Sequence, residues 1–224
     1  MIKRTSREHV LDILEKNKNN WNILDIGCNR DAVVHSNVVA DIDDFSKFYK
    51  DKKFVIIKTK DLPFKDNEFD FVYSSHVIEH VEDVSYFLKE LQRISKSGYI
   101  ELPTILEDNI ILSYNSIKDH KWFFKFDDVN NILLAEKKKQ LIEPFITHGV
   151  LFNSLRKNFR SSLVLELIWD NSIEFEFKNF SKTIKKLYFF LIVKKYLSYL
   201  IRTNKLISIF LFIILLFIVI KFFL

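Results

Sequence analysis

The sequence predicts an α/β protein: a doubly wound, mostly parallel sheet with C-terminal β-hairpins, followed by a C-terminal transmembrane helix. Three observations carry that expectation. Short apolar runs alternate with helical periodicities through the first hundred residues, the pattern of strands joined by crossover helices. Residues 69–73 are aromatic and β-branched enough to be a strand covered on both faces, as central parallel strands are. Residues 206–220 are apolar throughout except for Ser208.

Each element has a local cause. Thr5-x-x-Glu8 has capping-box spacing ahead of Val10, Leu11 and Leu14, which predicts a first helix. Residues 22–27 form a short apolar run ending in Gly27, and 37–42 and 54–57 are the next strands. The stretch between Gly27 and Asp41 is short for a crossover helix and is expected to be a loop. Asp83 can cap a helix whose apolar face is Val84, Phe87, Leu88, Leu91 and Ile94. Gly98 opens a strand at 99–102 that Pro103 stops, and Thr104-x-x-Glu107 repeats the capping box before Ile110. Two hairpins are expected afterwards, one pairing 122–126 with 132–134, the other pairing 163–169 with 173–177 around Asp170-Asn171. The sequence has no internal repeat and no low-complexity linker.

Composition sets the outer limits. A 224-residue chain with 48% apolar residues can form one domain with a substantial core plus an appendage, here 1–178, a basic segment 179–205 and an apolar tail 206–224. The single cysteine, Cys28, excludes an internal disulfide and a multi-cysteine metal site, and favours a reducing compartment. The polar, charged N-terminus does not read as a signal peptide. The net charge of +5 is unevenly placed: every acidic residue lies at or before Glu176, whereas nine basic residues lie beyond it. Cationic charge confined to the flank of an apolar run points to a membrane surface, and no nucleic-acid partner is expected. As a helix, residues 206–224 would be roughly 28 Å long, close to the hydrocarbon thickness of a bilayer. The lysine-rich flank favours a single-pass protein with its N-terminal domain on the cytoplasmic side. Residues 184–201 mix aromatic residues with paired lysines and could lie along the interface or extend the anchor.

The candidate site begins where strands end. Ser74, Ser75 and His76 follow the 69–73 run, at the carboxyl end of a strand where open α/β sheets bind ligands. Gly27 ends the first such strand in a chain with only three glycines. The Gly-x-Gly-x-x-Gly fingerprint is absent, which argues against a nicotinamide or flavin enzyme. Asp41, at the end of the next strand, can accept two hydrogen bonds from a vicinal diol, and Asp43 and Asp44 are neighbours able to replace it. His76 and His80 are four apart, a spacing that can bind zinc, but no third ligand is apparent.

The wording Leu62-Pro63-Phe64, Asp66-Asn67, Phe69-Asp70-x-Val72, Ser74-Ser75 and Glu79-His80 resembles class I S-adenosylmethionine-dependent methyltransferases of the type 11 family. So does Ile23 to Cys28, although Asn29-Arg30-Asp31 replaces the usual glycine-rich continuation. The resemblance implies a Rossmann-like fold and S-adenosylmethionine as cofactor. It assigns Asp25, Gly27 and Cys28 to the first turn and Asp41 with Ile42 to the ribose. Asp61 and Leu62 fall beside the adenine, where Lys58 stands in place of a common aspartate, and Ser75 sits at the strand lip. It implies no metal. His76 is the candidate catalytic residue, as base or acceptor contact; the Glu79-His80 pair holds the turn, and His120 could border the acceptor pocket. With a membrane tether, the expected acceptor is a small molecule, a lipid or a lipid-linked glycan. Two other classes stay open: a catalytically eroded interaction module at a membrane, and a protein methyltransferase. Nothing in the sequence sets the oligomeric state.

Overall fold

A computed structural model describes residues 1–110, 119–138 and 156–178, all within one compact unit, Met1–Asn179. The basic segment and the tail expected to anchor the protein lie outside the described residues. Among the described residues, no helix is long and apolar enough to cross a membrane.

The apolar runs become strands because their side chains are covered on both faces. Strands β2 (Ile23–Ile26) and β3 (Val38–Asp41) are buried at every position, and β5 (Phe71–Ser75) at all but its last. With β4 (Lys53–Ile56), β6 (Ser97–Pro103), β9 (Val164–Asp170) and β1 (Ile2–Arg4) they form a seven-stranded sheet of order β1-β9-β6-β5-β2-β3-β4. Strands β2 to β6 are parallel within this sheet, and β9 runs against both of its neighbours.

Helices cover both faces, as the periodicities require. Helix α1 (Arg7–Asn17) is capped one residue later than the expected Thr5-x-x-Glu8 box: Ser6 accepts from His9 N, the Thr5 hydroxyl is buried without a hydrogen bond, and Val10 and Leu14 lie against Ile23, Phe71, Tyr73 and Tyr99. Helix α2 (Val84–Ile94) is capped by Asp83, which accepts from Tyr86 N. It covers the opposite face, where Phe87, Leu88, Leu91 and Ile94 meet Leu24, Ile26, Val72 and Ile100. Each fully buried side chain of this size contributes about 1.5–3 kcal/mol. The connection from β2 to β3 contains no helix, as its length predicts. A short helix α3 (Ile105–Ile110) follows Thr104, whose hydroxyl accepts from Glu107 N.

A second sheet of order β10-β8-β7 joins β7 (Trp122–Asp127) and β8 (Ile132–Lys137) as the expected hairpin, with Asn131 at φ 55 in its turn. The second expected hairpin is not formed. Strand β9 leaves its sequence neighbour and inserts between β6 and β1, because its side chains are buried on both faces and suit a central position. Strand β10 (Phe175–Phe177) pairs in parallel with β8 instead, leaving only an isolated bridge between Asp170 and Ser172. Strand β1 is an element the sequence pattern missed. Gly98 leaves room for the indole of Trp169, its partner on the neighbouring β9: a Cβ there would stand 2.1 Å from Trp169 Cη2. A last short helix, α4 (Arg160–Leu163), leads into β9.

Candidate active site

Alternation along the strands decides which side chains face the site. Asp25, Tyr73, Ser75, Tyr99 and Glu101 share the face covered by α1, since Ile23, Phe71 and Tyr73 pack there and successive residues alternate. The pairing register sets Ser75 beside Glu101, and Glu101 beside Glu166. This face therefore carries a polar row across the carboxyl ends of β5 and β6.

At its near end lies a cleft of about 330 Å³ lined by Arg7, Asp25, Gly27, Cys28, Asn29, Arg30, Asp31, Tyr73 and Ser75. Its floor is the turn after β2. Gly27 has φ +76, and a Cβ there would stand 2.2 Å from Val77 Cγ2, so glycine is required twice over. Asn29 follows at φ 44, the left-handed region that asparagine tolerates. Gly27 N donates to Ala40 O at 2.7 Å. Asp41 closes the turn: its Oδ2 accepts from Asn29 N at 2.9 Å and its Oδ1 from Asp43 N at 3.2 Å. Tyr49 braces the same loop, accepting from Ala32 N and donating to the carbonyls of Cys28 and Asn29.

Burial sets the charges here. It raises the Asp25 carboxyl to about 7, although Val33 N donates to Oδ2 at 2.6 Å. Burial also pushes the Cys28 thiol up to about 12, which removes it as a nucleophile near neutral pH.

The structure gathers Asp25, Gly27, Cys28 and Ser75 around this cleft, and Asp41 adjoins it through Asn29. Ile42, Asp61 and Leu62 are not among its lining side chains. Ile42 is exposed, Asp61 accepts from Tyr86 Oη, and Leu62 is buried with its N–H on Glu90 Oε2. Sequence reasoning missed Arg7 and Tyr73. Arg7 is one residue past the cap of α1, and only the sheet brings the start of that helix over the ends of β2 and β5. Arg30 and Asp31, the departures from the family wording, also line the cleft, and Arg30 stacks on Phe48 with 5.3 Å to the ring centroid.

The far end of the polar row is a buried ion network. Glu101 Oε2 accepts from Tyr99 Oη at 2.7 Å and from Arg160 Nη2 at 2.6 Å, and its Oε1 is 3.3 Å from His76 Nε2. Arg160 also reaches Glu166, and Arg156 pairs with Glu107 at 3.3 Å. Burial would raise the Glu101 carboxyl, but His76, Tyr99 and Arg160 reverse this and hold it at about 2. Burial would likewise lower His76, yet the Glu101 and Glu79 carboxylates lift it to about 9. Arg156 Nη2 approaches the same Nε2 at 2.5 Å, an approach that suits an unprotonated nitrogen. The ring proton and the guanidinium therefore compete for Glu101.

His76 departs from its expected geometry. It sits at φ 55 with its N–H on Glu101 O, and a single 3-10 turn, Ile78–His80, follows it. The helical face that would set His76 against His80 does not form. His80 meets Glu79 and His120 instead, so two further ligand-type side chains stand beside it where the sequence showed none.

Residues 24–100 match the family model of a methyltransferase domain. An uncharacterized protein of Methanocaldococcus jannaschii is 33% identical over 93 residues, covering 41% of this chain and 44% of that protein. The chain thus spans less than half the length of this curated relative. Among solved structures, an S-adenosylmethionine-dependent methyltransferase of Thermotoga maritima is similar at 15% identity, over 72% of this chain and 87% of that one, with a TM-score of 0.44. The PH0226 protein of Pyrococcus horikoshii is also 15% identical, over 75% of this chain and 93% of its own, with a TM-score of 0.42. The domain match supports S-adenosylmethionine as the cofactor.

Proposed function

We propose that this chain, whose residues 24–100 match the family model of a methyltransferase domain, transfers a methyl group from S-adenosylmethionine to a polar acceptor held beside His76 and Glu101. The observation that carries this reading is the cleft over Gly27, Asp25 and Ser75 at the carboxyl ends of β2 and β5, whose lining residue Ser75 pairs in the sheet with Glu101, the partner of His76. Its side chains suit the chemistry of the cofactor. Asp41 offers oxygens to a vicinal diol, Arg7 suits a carboxylate, and Asp25 or Asp31 suits an ammonium group. When bound, S-adenosylmethionine supplies an electrophilic methyl on a sulfonium sulfur, displaced in line by a nucleophile. Positioning supplies most of the acceleration in such a reaction. His76, lifted to about 9 with its two ring nitrogens on Glu79 and Glu101, serves this reading as a fixed positive charge beside the acceptor rather than as a free base.

The acceptor is read as membrane-associated, a lipid or lipid-linked glycan or a small molecule at the bilayer surface. That reading rests on residues 206–224 as a single-pass anchor with the domain on the cytoplasmic side. A second reading, an eroded module that keeps the fold, is favoured by Arg30 and Asp31 lining the cleft in place of small residues.

Calorimetric titration of the full chain with S-adenosylmethionine and S-adenosylhomocysteine separates the two. Binding of both supports the enzyme, and binding of neither leaves the eroded module. For the anchor, carbonate washing should fail to extract the full chain from membranes and should strip a chain lacking 206–224. Extraction of the full chain without detergent would refute the tether.

A further inference from the structure

Beside the polar row, the chain brings two imidazoles and a buried carboxylate to one point. Glu79 and His80 close the 3-10 turn after His76, and His120 stands just before β7. The segments are tied by Lys121 N donating to Glu79 O at 2.7 Å. One ligand-type atom from each of the three side chains lies within 4.8 Å of the other two.

The cluster has the supports that metal sites need. His120 Nδ1 is held by Asp108 Oδ1 at 2.7 Å, and His80 Nδ1 lies 3.3 Å from the Asp119 carbonyl. A carboxylate or carbonyl on one ring nitrogen fixes the tautomer and leaves Nε2 as the ligand atom. Glu79 supplies an independent sign. Its side chain is 0% exposed; its Oε1 faces His76 Nδ1 at 3.1 Å and His120 Nε2 at 4.0 Å, while its Oε2 is buried with no hydrogen-bond partner. His76 serves only Oε1, and a buried carboxylate oxygen left without a hydrogen bond is costly unless a further donor or cation meets it.

We infer that Glu79, His80 and His120 form a mononuclear site for a divalent transition-metal ion of the zinc class. Two imidazoles and one carboxylate suit zinc and its neighbours, whereas magnesium and calcium favour all-oxygen shells. Three protein ligands leave a fourth position open, as in sites that hold water or substrate. With bonds of about 2.0–2.1 Å, tetrahedral zinc spaces its ligand atoms roughly 3.3 Å apart, so the rings must close in by about 1.5 Å or less. His80, only partly buried, is the side chain with room to do so. The inference does not rest on methyl transfer.

The test uses the full chain, stripped with a chelator and titrated with Zn²⁺ by calorimetry and with Co²⁺ by visible absorption. One equivalent should bind, and Zn²⁺ should bleach the cobalt bands. His80→Gln and His120→Gln should each weaken zinc at least tenfold, and Asp108→Asn by about 10–100-fold, the usual effect of removing the group behind a ligating histidine. Thermal unfolding of each variant separates lost binding from lost fold. If His120→Gln does not fold, His80→Gln decides alone. No zinc uptake by the wild-type chain, or affinity unchanged in His80→Gln, would overturn the site.

Discussion

The two ends of the polar row are built in different ways. Around the cleft, the bonds that shape the site join near neighbours in sequence: Val33 to Asp25 across 8 positions, Asn29 to Asp41 across 12, Ala32 to Tyr49 across 17. Around Glu101 they join distant ones: Arg160 across 59 positions, Tyr99 to Glu166 across 67, Arg156 to His76 across 80. At the first end the turn is held within one segment, 25–49, and Arg7, Tyr73 and Ser75 join the cleft from elsewhere in the fold. The second exists only when β6, β9 and α4 are all in place. The far end should therefore report global folding, and the near end local geometry and ligand binding.

The largest effect should come from the far end. Glu101→Ala leaves His76 and Arg160 facing an empty, dry position, and removing one partner of a buried ion pair costs about 3–5 kcal/mol. Urea denaturation measures it. A loss below about 1 kcal/mol would mean that the network is screened like a surface pair.

Asp25 gives the near end its own signature, through pH. Its unfolded value is about 3.9, and its folded value is about 7. Because the folded value is the higher, ionisation costs stability: the penalty is absent below the unfolded value, grows as pH rises, and is complete above about 7. Asp25→Asn keeps an acceptor for Val33 N–H and escapes the penalty. Its melting temperature should match wild type at pH 4 and exceed it by several degrees at pH 8. Equal gaps at both pH values would show that Asp25 titrates normally.

Asp41→Ala should weaken S-adenosylmethionine binding by more than tenfold, since a hydrogen bond to a charged group contributes about 1.5–3 kcal/mol. Unchanged affinity, with loss on Asp43→Ala instead, would shift the diol contact by two residues. The smallest effect tests a purely local device: Asp83→Ala removes the cap of α2 and should cost about 1 kcal/mol, read by thermal unfolding.

The same division explains what the sequence revealed. Strands β2, β3, β5 and β6, helices α1 and α2 with the cap of α2, and the missing crossover helix between Gly27 and Asp41 were legible, because each is decided by burial pattern, capping or length within a few residues; the cap of α1 was misplaced by one residue, since Thr5 and Ser6 offer the same hydroxyl. The second hairpin was misread because Asp170-Asn171 is turn chemistry in either topology. Only the burial of Val164 and Glu166 on one face together with Leu165, Leu167 and Trp169 on the other tells β9 to enter the main sheet. Strand β1 offers three residues, Ile2 to Arg4, too few for any period to show. In the site, Gly27 and Asp41 stood out as rare or charged residues at strand ends. Arg7, Arg160 and the meeting of His80 with His120 left no local trace, since their partners are fixed by the fold alone.

The pairing of β1 with β9 also fixes an order of events during synthesis. Ile2 pairs with Trp169, and Met1 bonds to Asp170 across 169 positions. At roughly 5–20 residues per second, β1 is made about ten to thirty seconds before the strand that receives it. Through that interval its unpaired edge is available to chaperones, and the Glu101 ion network cannot close. The charged end of the polar row is thus the part of the site whose partners are made last.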